Sequence, residues 1–111
     1  RFNNMRMIIT NLDGSTTEID ERVFSLVKEN QLNAVRSRAM ELILDFAPEY
    51  KQRNAALGLL SQQETDEIKN HIQTIRTQSN QKEAAIEAIT WDGQESTRKA
   101  ACDAIEEIYW N

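Results

Sequence analysis

Residues 61–89, SQQETDEIKNHIQTIRTQSNQKEAAIEAI, decide how the rest of the chain is read. The stretch opens with a capping box. The Ser61 hydroxyl accepts from the free backbone N–H of Glu64, and the Glu64 carboxylate reaches back to Ser61. Behind that cap Ile68, Ile72, Ile75, Ser79, Lys82, Ile86 and Ile89 follow at steps of four and three. This spacing lines them up on one stripe of an α-helix, broken by the polar Ser79 and Lys82. So long a helix with so narrow a stripe cannot bury itself, and it needs partner helices along its length.

Working towards the N-terminus, residues 58–61 make the tight corner into this helix, with Gly58 closing whatever precedes it. Pro48 removes a backbone donor and clashes with the preceding turn, so a straight ladder cannot pass through it. The preceding helix either kinks there or ends, and the favoured reading is a new short helix over residues 48–57 that starts at Pro48. Before it Val23, Phe24, Val27, Leu32, Val35, Ala39, Leu42 and Phe46 form a second helical stripe, widened by Ile43 and Leu44. Residues 30–33 are the expected weak point of that helix. The only strand-like part is residues 5–19, where Met7, Ile8 and Ile9 lead to the turn dipeptide Asp13-Gly14 and a return through Thr16, Thr17 and Ile19. Two strands alone are marginal in water, so this hairpin rests on the helices or pairs with another chain.

Towards the C-terminus the long helix stops near Thr90, Trp91, Asp92 and Gly93. Asp92 and Glu95 read as a second N-cap, and Thr97, Ala101, Ala104, Ile105 and Ile108 as a last stripe. The fold class is therefore mainly α, a helical hairpin or small bundle with a short N-terminal β-hairpin. The division is residues 1–19 as hairpin or connector and residues 20–111 as the helical domain.

The composition agrees and narrows the function classes. The chain has 111 residues, three glycines, one proline and a net charge of −5. An acidic balance argues against nucleic acid as a general partner, because such binding needs a basic face. Arg36, Arg38, Lys51 and Arg53 nevertheless form a basic neighbourhood, and the last thirty or so residues are acidic. Cys102 stands alone among alanines, which excludes an intrachain disulfide and a cysteine zinc cluster and suits a buried thiol in a reducing compartment. No apolar run approaches the roughly eighteen residues of a membrane span, and no signal peptide is visible. The start at Arg1 rather than Met reads as processing or as a piece of a longer chain. His71 has no nucleophile and acid at dyad spacing, Ser79 and Cys102 being its only conceivable partners. Phosphate loops, zinc-protease motifs and EF-hands are absent. No residue is assigned to catalysis, to a cofactor or to a metal.

One polar set has an unusual make-up. Tyr50, Gln52, Arg53 and Asn54 follow Pro48, while Arg76, Ser79 and Asn80 lie halfway along the organising helix. If the chain folds back at Gly58 the two groups approach, and mutually satisfied amides and a guanidinium would fix the register of an aliphatic bundle. Ordinary surface polarity is the alternative. If the cluster is real, Asn54 or Asn80 hydrogen-bonds to the opposite helix, and Asn80→Ala costs more than about 1 kcal/mol.

The same residues carry a resemblance. RSRAMELILDFAPEYKQRNAALGLL at residues 36–60, followed by IQTIRTQSNQKEAAIEAI, resembles a helical segment of tailed-bacteriophage tail-fibre and tail-associated structural proteins. There an alanine-rich helix leads to proline, glutamate, an aromatic, lysine, glutamine, arginine and asparagine, occupied here by Pro48, Glu49, Tyr50, Lys51, Gln52, Arg53 and Asn54. A later helix carries isoleucine, arginine, serine, asparagine and glutamate at Ile75, Arg76, Ser79, Asn80 and Glu83. The resemblance covers about residues 35–89 and leaves out the hairpin and the last helix. It implies a non-enzymatic structural or assembly module of the virion that docks other tail proteins and self-associates, made in the host cytoplasm. The alternatives are a tail-fibre assembly chaperone absent from the mature particle, and a small cytoplasmic regulator that binds nucleic acid through Arg36, Arg38, Lys51 and Arg53.

Overall fold

The computed structural model describes the backbone of residues 6–10, 12, 14 and 16–111, and the side chains of 12, 14 and 20–111. The described part is mainly helical, with α1 (Phe24–Phe46), α2 (Glu49–Ala56), α3 (Gln62–Ala88) and α4 (Glu95–Glu106). Ahead of them the backbones of β1 (Arg6–Thr10) and β2 (Thr16–Asp20) run antiparallel, with Ile8 opposite Glu18. Met5 and Asp13, and the strand side chains before Asp20, lie outside the described residues.

The organising stripe sets the packing. Ile68, Ile75, Ser79 and Ile86 are buried and Ile72, Lys82 and Ile89 half-buried, so all seven positions face inward. Ser61 caps α3: its hydroxyl accepts from the Glu64 N–H at 3.1 Å and donates to the Glu64 carboxylate at 3.0 Å. The carboxylate reaches back to Ser61 but meets its hydroxyl, where a full capping box would have it accept from the Ser61 backbone N–H. At Pro48 the ladder breaks as its chemistry demands. Helix α1 ends at Phe46, Pro48 is the N-cap of α2, and Gly58 takes a φ of +74° at the corner.

Two sequence expectations give way. Helix α1 runs through residues 30–33 without a break, because Leu32 and Val35 are buried on either side of Asn33 and their packing outweighs weak local propensity. Helix α4 is capped by the backbone of Gln94 rather than by an Asp92–Glu95 box. Asp92 instead ties the loop, accepting from the Gln94 N–H at 2.9 Å and the Thr97 hydroxyl at 2.6 Å, bonds that hold its carboxyl below the usual range.

Helices α1 and α3 pack antiparallel, and α4 covers only one half of the pair. In that half Val27, Leu32 and Val35 meet Ile86, Cys102 and Ile105 in one cluster. In the other half Ala39, Ile43 and Ile75 form a smaller cluster edged by Leu42 and Ile72. The asymmetry follows from length. The 12 residues of α4 span about 18 Å, against about 34 Å for the 23 of α1. Trp110 touches both clusters, and its indole N–H donates to the Val35 carbonyl at 2.9 Å.

Candidate docking cleft and a buried arginine

Just past the break at Pro48, Glu49 and Gln52 of α2 join α1 and α3 in lining a cleft of about 430 Å³. Its floor is Ala39 and Ile43, its rim Met40 and Leu44 of α1, Glu49 and Gln52 of α2, and Arg76 and Asn80 of α3. Ser79 and Glu83 lie deeper. Gln52, Arg76, Ser79 and Asn80 therefore surround one cavity, while Tyr50, Arg53 and Asn54 are not among the residues that line it.

The bonding differs from the expected mutual network. The Ser79 hydroxyl donates to Glu83 at 2.9 Å, and Arg36 reaches the other oxygen of that carboxylate at 2.6 Å, so Glu83 bridges α1 and α3. The Gln52 amide donates to the Ala47 carbonyl at 2.7 Å and braces the Pro48 corner. Among the described residues neither Asn54 nor Asn80 makes a side-chain hydrogen bond, and no bond joins the two polar groups across the Gly58 corner. The reason is burial. Helix α2 has no buried residue, so its polar groups keep their water and nothing forces them to pair. Asn80 is exposed, and Asn80→Ala is accordingly expected to shift stability by no more than about 0.5 kcal/mol in a urea melt. A loss above about 1 kcal/mol would restore the network reading.

The sole histidine is bound up elsewhere. His71 stacks on Phe46 with ring centroids 3.9 Å apart, while the Ser79 hydroxyl is held by Glu83 and Cys102 is buried in the other cluster. Burial raises the Cys102 thiol above its usual value, and the nearby Arg22 opposes that only in part. Among the described residues no group of three or more His, Cys, Asp or Glu could hold a metal ion, and no helix is long and apolar enough to cross a membrane. Of the basic neighbourhood, Arg36 is paired with Glu83 and Arg38 with Glu41 at 3.6 Å.

The most buried charge among the described residues is one that sequence reasoning passed over. Arg22, between β2 and α1, is 1% exposed. Its guanidinium pairs with both oxygens of Asp20, with Asp103 at 2.7 Å and with Glu106 at 2.6 Å. The Asp20 hydrogen bond raises the Arg22 pKa further above an already high value, outweighing the burial that would lower it. Nearby, Arg98 donates to the Asp20 carbonyl at 3.1 Å and lies over Trp91, which packs on Phe24. This cluster pins the end of β2 and the start of α1 to α4. The one signal in the sequence was the i, i+3 pair Asp103 and Glu106 beside apolar Cys102 and Ile105, and local spacing alone does not mark such a pair as a receptor for a distant cation. No family model, curated protein or solved structure matches the chain.

Proposed function

We propose that the chain is a non-enzymatic structural or assembly module of a tailed bacteriophage, associated with the tail or tail fibre, that works by protein–protein docking. The observation that carries the docking is the apolar end around α2. Tyr50, Leu57 and Leu59 are 61%, 65% and 69% exposed there, beside an exposed Phe46. Burying one such side chain is worth about 1.5–3 kcal/mol, so a cluster of them left in water favours a partner surface. The phage assignment rests on the resemblance of residues 48–54 and 75–83, and the apolar end falls within or beside the first of these. Partners in this reading are other virion proteins and further copies of the chain, with the edge of the N-terminal hairpin as a second contact.

Regulation of nucleic acid through Arg36, Arg38, Lys51 and Arg53 has less support, since two of the four already face carboxylates. The experiment is mass spectrometry of purified particles and of infected-cell lysate. Peptides of this chain in stoichiometric amount in the particle are the expected result. Peptides in the lysate alone, co-purifying with fibre chains, would turn the assignment to the assembly chaperone. Absence from both particle and fibre complexes would overturn it.

A further inference from the structure

We infer that the face around the cleft between α1, α2 and α3 is a self-association face, closed over by the same face of a second copy of this chain. The inference rests on the docking reading and adds the surface through which copies of the chain meet. Four charged side chains line the cleft, and two of them, Arg36 and Glu83, neutralise each other at 2.6 Å. Glu49 on the α2 wall and Arg76 on the α3 wall remain, both exposed and with no ion pair or side-chain hydrogen bond among the described residues.

One free anion and one free cation on two walls of a single cleft form a self-complementary pattern. A twofold axis through the cleft sets Arg76 of each copy opposite Glu49 of the other, as an isologous interface requires. A purely acidic or purely basic segment would satisfy one of the two charges and oppose the other. Met40, 58% exposed, and the half-buried Leu44 sit on the rim, where a mobile thioether can fit an irregular apolar contact. The location also fits. This is the half of the α1–α3 pair that α4 leaves two helices thick, and an equivalent pair from a second copy makes a four-helix layer.

Sedimentation equilibrium on the whole chain tests this. The wild type is expected to dimerise, and Arg76→Glu or Glu49→Arg alone to weaken the dimer about tenfold or more. The double variant Arg76→Glu, Glu49→Arg restores the pairing with signs exchanged, to within about threefold of wild type. Circular dichroism accompanies each variant, and both sites are exposed, so the fold is expected to persist. Met40→Asp, at a third exposed site, is expected to weaken the dimer without changing helicity. A wild type that stays monomeric near about 1 mM, or a double variant no tighter than either single one, would overturn the inference. A monomeric chain that still enters particles removes this inference and leaves the docking reading; a dimer that never enters particles does the reverse.

Discussion

Arg22→Met is expected to lower the stability of the fold by about 3–5 kcal/mol, read as a shift of the urea midpoint at neutral pH. Methionine nearly fills the space of the arginine stem, so packing loss is minor and the effect isolates the charge. Without the guanidinium, Asp20, 8% exposed, keeps the Arg22 backbone N–H at 3.0 Å but loses the guanidinium's bonds to both of its oxygens. Asp103 keeps Lys99 at 2.5 Å and Glu106 loses its guanidinium contact, and each is about one-third exposed and recovers some hydration. The cost therefore sits mainly at the buried end of the cluster, around Asp20, where little water can replace the lost hydrogen bonds. Acid should erase part of the difference. Burial pushes the Asp103 carboxyl up, but hydrogen bonds from Lys99 and Arg22 outweigh it and hold the group below the usual 3.8. A depressed carboxyl contributes stability that is complete above the unfolded value and lost as pH falls through the folded one. The gap between wild type and Arg22→Met should thus narrow below about pH 3.8. Coincident melts at neutral pH would show that the cluster is solvated and holds nothing.

Ile86→Ala is expected to cost about 2–5 kcal/mol, the range for deleting a buried branched side chain and leaving a cavity. Ile86 is 0% exposed and lies where α3 meets both α1 and α4, against Val27, Leu32, Val35, Cys102 and Ile105. With three helices converging, none can close the gap without leaving another. Ile72→Ala is the control. That side chain belongs to the same stripe but edges the thinner cluster and is half-buried, so collapse and water both soften the loss. Equal costs at the two positions in denaturant melts would mean that the core is not concentrated under α4.

Much of what depends on a few neighbouring residues was legible in the sequence. The stripe from Ile68 to Ile89 faces inward because a 3.6-residue period is a property of the segment itself. Pro48 ends α1 because its ring and missing N–H act on the adjacent turn, and Gly58 turns the corner because it alone among its neighbours adopts a positive φ at no steric cost. Ser61 caps α3 through an atom three residues away. Local rules failed at Asn33, which the burial of Leu32 and Val35 holds in the helix, and at Asp92, whose exposed carboxylate is drawn to Thr97 instead of capping.

Tertiary structure alone decided what each face meets. Arg22 finds carboxylates 81 and 84 residues further on, and Trp110 donates to a carbonyl 75 residues back. The same applied to the polar signature: spacing could place Gln52, Arg76, Ser79 and Asn80 on facing helices, but whether they bond depends on whether water is excluded there. Periodicity shows which side of a helix is apolar, whereas the fate of a charge depends on the solvent left around it once distant segments have packed.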